Sequence, residues 1–331
     1  MLYNFEKNNW EYKNDIILAP MVRMGTLPMR LLSLKYGATM VYSPEYIDKC
    51  IIHCQRKISD ENIIKYYAPS GKEIFSTVKD EPLAFQLGTS NAGLAVKAID
   101  VVYQDIQAID VNMGCPLPYS TKGGMGAALL KKPELIVDIL KTLKRNFNKP
   151  VTCKIRLLDD IADSIKLVKI IESCNINALA IHSRYVADRS KKERARHDQS
   201  NIVIQHLSLP TIINGDIYTL DDAEDIKKKT GADSVMIARG AQYNPSIFRK
   251  EGFLPIYDVA NDYLQIAEKI NNPIRNTIYG IKSMTARILK DNNKIDIINK
   301  SRNYDQLNDY INKIKKNLTN DYIPSCKAYI I

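Results

Sequence analysis

A chain of 331 residues, 45% hydrophobic and 25% charged, is long enough for one large domain with a smaller partner, and its average composition excludes a disordered or fibrous protein. Six cysteines, at positions 50, 54, 115, 153, 174 and 326, are too few and too scattered for a disulfide scaffold, and no stretch approaches the roughly 18 to 20 apolar residues that span a bilayer. The formal charge of +10, from 47 basic against 37 acidic residues, favours a polyanion such as nucleic acid as partner.

Residues 1–14 are polar and charged with no apolar signal core, so a reducing, intracellular and soluble setting is expected, in the cytoplasm or nucleus. Short apolar, β-branched runs ending in small or polar residues then recur at 16–21, 38–43, 83–88, 108–114, 151–156, 178–183, 210–216 and 234–239. They are continuous rather than alternating, as in strands buried on both faces of a parallel sheet. Between them, 27–36, 91–102, 133–146, 161–174 and 220–229 carry apolar residues at helical spacing. Pro133 suits a first helical turn, Asp221 and Asp222 suit a helix N-terminus, and Gly37 and Gly231 suit helix ends.

Eight strand-helix units over about 240 residues predict an α/β fold, a (β/α)₈ TIM barrel occupying residues 1–250, with a doubly wound open sheet as the competitor. The interval from Pro44 to Pro82 is too long for a simple connection and predicts an inserted helix or hairpin. The strand pattern stops near residue 252; 256–270, 274–290 and 304–318 have helical spacing and predict a small all-helical domain over 251–331.

In such a barrel, function sits where strands end. Those positions hold Pro20 and Met21, Gln86, Asn112 and Cys115, Lys154 and Arg156, His182 and Arg184, Asn214, Gly215 and Asp216, and Ala238 and Arg239. The last two loops, 214–216 and 238–241, have glycines and Arg239 suited to a phosphate, or are tight turns. Lys154 lies in an apolar strand and needs an anionic or hydrogen-bonding partner, a bound cofactor or a structural salt bridge. Cys115 follows Val-Asn-Met-Gly and precedes Pro116, which places its thiol on a loop where it can act as a proton donor. Cys153 and Cys174 sit in strand and helix contexts and are expected in the core. The glycine-rich 121–128 lacks the Gly-Lys-Ser/Thr ending of a P-loop. Cys50, His53 and Cys54 lack a fourth ligand nearby, so no metal is expected. Arg184, Arg189, Lys191, Lys192, Arg194 and Arg196 follow His182 as a basic stretch, either a solvated loop or a collar for a phosphate backbone.

These segments together resemble the tRNA-dihydrouridine synthase family, most closely its eukaryotic class acting on the uridine at tRNA position 20. The resemblance rests on ILAPMVRMGTLPMR at 17–30, FQLGTS at 85–90, DVNMGCP at 110–116 and STKGGMGAALL at 120–130. It continues with PVTCKIR at 150–156, IHSR at 181–184, INGDI at 213–217 and MIARGAQYNPSIF at 236–248. It implies bound FMN, NADPH as reductant and a helical tRNA-binding domain; separately, a monomer is expected. Cys115 matches the family's proton-donating cysteine. Pro20, Met21, Gln86, Lys154, His182, Asn214, Gly215, Asp216, Ala238 and Arg239 match flavin-contacting positions, and Asn112 a position close to both flavin and uracil. Arg156 and the basic stretch are then expected to meet tRNA.

The match has departures. Leu117 stands where close relatives usually have lysine, and Ser183 where they usually have glycine. Animal members append a double-stranded-RNA-binding domain that is not expected here, so the barrel rim and helical segment must supply the tRNA contacts. Two other readings use the same barrel: a small-molecule FMN oxidoreductase of dihydroorotate dehydrogenase type, and a non-catalytic RNA-binding scaffold.

Overall fold

The structure, a computed structural model, describes residues 10–188, 193–285 and 298–317. Eight parallel strands form a closed ring: β1 (Ile16–Leu18), β2 (Met40–Tyr42), β3 (Leu83–Gly88), β4 (Ala108–Asn112), β5 (Val151–Leu157), β6 (Ala178–Tyr185), β7 (Thr211–Asn214) and β8 (Ser234–Ile237). Each pairs with the next, and β8 pairs back to β1 through Ile17 opposite Met236. The ring is therefore a TIM barrel rather than an open sheet.

Alternate residues along each strand point inward. Ile17, Met40, Ala84, Ala108, Ala178, Ala180, Ile212 and Met236 form one packed interior cluster with Tyr12 and Tyr42, so small residues and branched ones share the narrow space. Above this lies a polar layer. Gln86 Nε2 donates to Asp110 Oδ2 at 2.8 Å, and Thr152 Oγ1 donates to Asp110 Oδ1 at 2.7 Å. The opposite strand faces meet the helices, with Leu18, Val41, Leu83, Ile109 and Ile181 in the large outer core.

The barrel helices are α1 (Leu27–Lys35), α2 (Ala92–Val102), α3 (Pro133–Asn146), α4 (Ile161–Glu172), α5 (His197–Ile204) and α6 (Leu220–Thr230). Their ends follow from local chemistry. Asn91 accepts from Leu94 N at 2.9 Å, Asp160 from Ala162 N at 2.7 Å and Thr219 from Asp222 N at 2.9 Å, each satisfying an amide that the first turn leaves free. Gly231, at φ +72°, closes α6 in a conformation that a side chain disfavours. The interval between β2 and β3 holds a short strand (Tyr46–Ile47), a helical turn (Asp48–Ile51) and an antiparallel sheet of Gln55–Ile58, Ile63–Tyr67 and Glu73–Val78.

After the barrel come α7 (Ile256–Lys269), α8 (Ile274–Thr285) and α9 (Tyr304–Asn317). The buried face of α7, including Val259, Ala260, Tyr263 and Leu264, joins the outer core. Lys35 Nζ and Tyr36 Oη both reach Asp262 at 2.7 Å. Among the described residues, no helix is long and apolar enough to cross a membrane.

Candidate active site at the barrel mouth

The strand register brings the expected residues side by side. Gln86 pairs with Asp110, Asn112 with Lys154, Arg156 with His182, and His182 with Asn214. Two adjoining cavities open there, of about 340 Å³ and 240 Å³, sharing Arg156 and His182 as a common wall. Pro20, Gln86, Asn112, Cys115 and Lys154 line the first; Asn214, Gly215, Asp216, Ala238 and Arg239 line the second. Met21 does not share the position of its neighbour: it packs on the outer core, and Val22 reaches the cavity instead.

Lys154 is the unusual member. Among the described residues its Nζ has no hydrogen-bond or ion-pair partner, since the nearby Asp110 carboxylate is taken by Gln86 and Thr152. Burial, then Arg156, push its ammonium down to about 7, with Asp110 opposing. Burial also raises Asp110, to about 6. His182 is held well below its ordinary range, first by burial and then by Lys154, Arg156, Arg184 and Arg239. Arg184 Nη1 lies 3.2 Å from His182 Nε2, and a guanidinium only donates, so Nε2 accepts and the ring proton sits on Nδ1.

The second cavity carries a guanidinium excess. Arg184 donates to Asp216 Oδ1 at 2.5 Å, and Arg239 donates to the same oxygen. Burial opposes ionisation of Asp216, but these arginines and the Ala195 amide hold it below its ordinary range. Arg239 thus pairs with Asp216 while still lining this cavity. Arg184 is also inward. Strand β6 runs on to Tyr185, so Arg184 is 5% exposed and lies within the cavity wall. Arg156 points Nη1 at the carbonyls of Tyr185 (2.9 Å) and Asp188 (2.7 Å). Of the remaining basic stretch, Arg196 pairs with Asp188 and lies over the Tyr185 ring at 4.0 Å, and Arg194 is exposed. Arg189, Lys191 and Lys192 lie outside the described residues.

Cys115 sits on the loop after β4. Asn112 Oδ1 accepts from the amides of Gly114 and Cys115, both at 3.0 Å, which folds the loop back over the strand end. Gly126 must lie against it: a Cβ there would come within 2.5 Å of both Cys115 O and Ser120 Oγ, at a φ of +57°. The thiol is half-buried and faces the cavity beside the exposed Leu117 and Tyr119. Sequence reading missed two groups here, Glu45 and Tyr119. Glu45 lies three residues beyond the end of β2, a strand-end position of the kind that flagged the others; Tyr119 gave no such signal.

The dihydrouridine synthase family model matches residues 17–325. A Schizosaccharomyces pombe protein named tRNA-dihydrouridine(20) synthase (NAD(P)+) is 38% identical over 281 residues, 81% of this chain and 59% of its own length. A Saccharomyces cerevisiae protein of the same name is 35% identical over 295 residues, covering 81% of this chain and 76% of that protein. The tRNA-dihydrouridine synthase B of Vibrio cholerae is 35% identical over 244 residues, 73% of this chain and 72% of that protein. The chain therefore spans 59% of the length of the fission-yeast relative.

Proposed function

The chain belongs to the dihydrouridine synthase family, and on that premise we propose that it reduces the 5,6 double bond of a uracil in tRNA, at position 20, with FMN as bound cofactor and NADPH as reductant. The observation that carries the proposal is the meeting in one cavity of a loop thiol, Cys115, and a half-buried ammonium, Lys154, without a protein partner among the described residues. The yeast relatives' names support position 20 and NAD(P) as the reductant class.

The residues suit FMN. An ammonium left without a partner at the base of a cavity needs an electron-rich acceptor, and the pyrimidine edge of a flavin is one. The adjoining cavity sets Arg156, Arg184 and Arg239 against Asp188 and Asp216, which leaves the positive excess a phosphate requires. Pro20, Met21, Gln86, Asn112, Lys154, His182, Asn214, Gly215, Asp216, Ala238 and Arg239 are the proposed cofactor set, with Met21 acting through the turn it closes with Gly25. When bound, FMN supplies the hydride for carbon 6 of the uracil. The protein does the rest. A stacked uridine is unreachable, so the pocket receives an extruded one. Cys115 gives its proton to carbon 5. Lys154 would offset negative charge developing on a carbonyl oxygen of the bound ring system, an electrostatic contribution. Arg156, Arg184, Arg194, Arg196, the remaining basic stretch and the helices of residues 251–331 are the proposed tRNA contacts; Arg23, over the Tyr279 ring at 4.2 Å, joins those helices to the loop bearing Pro20.

The test is to incubate the full chain with FMN, NADPH and unmodified tRNA, and to map dihydrouridine by mass spectrometry. Formation at position 20, weakening as salt rises, is the expected result. Equal activity on free uridine or orotate, insensitive to salt, would instead favour a small-molecule enzyme.

Lys154 adds a pH prediction. Its ammonium is present below about 7 and lost above it. If flavin binds the charged form, binding takes up a proton above that point, so affinity should weaken from pH 7 towards pH 9, by up to about tenfold per unit. Lys154→Met should weaken flavin binding by about 1.5–3 kcal/mol at pH 7 and flatten the profile, as measured by fluorescence titration. A profile as steep as that of the parent would show that another group titrates.

A further inference from the structure

Cys115 stands at the end of a hydrogen-bonded chain. Its Sγ donates to Tyr119 Oη at 3.4 Å, Tyr119 Oη donates to Glu45 Oε2 at 3.0 Å, and Ser120 Oγ donates to Glu45 Oε1 at 3.0 Å. Asn112 adds a further donor to Glu45. Glu45 is 9% exposed, and Gly88 makes room for it: a Cβ there would lie 2.6 Å from its Oε1.

The polarity of this chain is determined by its far end. Burial raises the Glu45 carboxyl above its ordinary range, while the three donors that converge on it, from Tyr119, Ser120 and Asn112, favour its ionised, acceptor-only form. A carboxylate is also a far stronger acceptor than sulfur, so it takes the single proton of Tyr119. The tyrosine oxygen then faces Cys115 with lone pairs only. A thiol can donate to it; a thiolate would meet a second electron-rich atom. Opposing groups stand on the other side. Arg156 on β5, joined by Lys154 below about pH 7 where its ammonium persists, is within electrostatic reach of Cys115 and favours the thiolate, as cations do beside nucleophilic cysteines. His182 on β6 is neutral and takes no part.

We propose that Glu45 and Tyr119 are positioning residues that hold Cys115 as a thiol against the pull of Arg156, keeping it an acid rather than a nucleophile. The inference deepens the reading above and rests on it for the reaction, but not for the chain itself.

The experiment is alkylation of Cys115 by iodoacetamide from about pH 6 to about pH 10, followed peptide by peptide with mass spectrometry in the full chain as purified, because Cys50 and Cys54 also react. Tyr119→Phe removes the acceptor. Glu45→Gln preserves size but offers an amide donor, which lets the tyrosine turn its proton to sulfur. Both should lower the midpoint for Cys115 by about one pH unit, a roughly tenfold gain in reactive thiolate at neutral pH, and leave those of Cys50 and Cys54 in place. The alkaline limb of dihydrouridine formation should move down by the same amount in both variants. Cys115 midpoints equal to or above that of the parent in both variants would overturn the proposal. Failure of the parent to make dihydrouridine on any tRNA would overturn the reaction instead, with the alkylation midpoints still deciding the chain.

Discussion

Cys115→Ala is expected to retain flavin and its reduction by NADPH while dihydrouridine formation falls by about 10²–10⁴-fold, the usual contribution of a positioned general acid. The substitution is mild for the fold. Cys115 is half-buried, its sulfur makes one hydrogen bond among the described residues, to Tyr119 at 3.4 Å, and its loop is held by backbone amides to Asn112 Oδ1 rather than by the thiol. Lys154, Gln86 and Asn214, on three separate strands, keep their places. Cofactor content and product formation should therefore separate cleanly. The measurement pairs the visible absorbance of the reduced and oxidised variant with mass-spectrometric counting of dihydrouridine. Unimpaired turnover would remove the cysteine from the mechanism, and joint loss of flavin and product would make it a structural residue.

What the sequence made legible was whatever burial imprints locally. Strands covered on both faces read as unbroken apolar runs, so 83–88 was expected and observed with the same bounds, as was the helix 133–146. Strand ends then located the cavity, because the residue that follows the last inward apolar side chain in a barrel is the first to meet the mouth. The inserted antiparallel sheet was less readable. Its strands carry Arg56, Lys57, Lys65 and Glu73, charges tolerated at an edge and in pairs such as Arg56 with Asp105 and Lys65 with Glu73. Helix α5 was hidden for a related reason: it is eight residues long and follows a basic stretch whose charge dominates the pattern. Arg184 looked like a loop cation because the extra length of β6 depends on pairing with Leu157 across a register shift. The link from Tyr119 to Glu45 spans 74 positions, and no spacing rule reports a contact of that kind.

The buried pair of Arg30 and Glu81 should show the largest effect on stability: Glu81→Ala is expected to lower the unfolding free energy by about 3–5 kcal/mol, a large part of what a domain of this kind possesses. Both side chains are almost fully enclosed, at 1% and 0% exposure. Arg30 Nε reaches Glu81 Oε1 at 2.7 Å and Nη2 reaches Oε2 at 3.2 Å, while Thr77 Oγ1 donates to Oε2 at 2.6 Å. Two further guanidinium protons go to the carbonyls of Gly25 (2.9 Å) and Ser76 (2.6 Å). Removing the carboxylate strands a desolvated cation among these groups, whereas Arg30→Met combined with Glu81→Leu removes both charges and should recover most of the loss. Denaturant unfolding of the parent and the two variants checks this; a Glu81→Ala cost under about 1 kcal/mol would mean that water reaches the site. The pair also reports on the mouth of the barrel. Gly25 N donates to Met21 O at 2.8 Å, closing the turn that presents Pro20 and Val22 to the cavity, and Arg30 holds that turn through Gly25 O. Cofactor retention should therefore fall with stability in Glu81→Ala although Glu81 does not line the cavity, and added FMN should restore part of the lost stability by mass action.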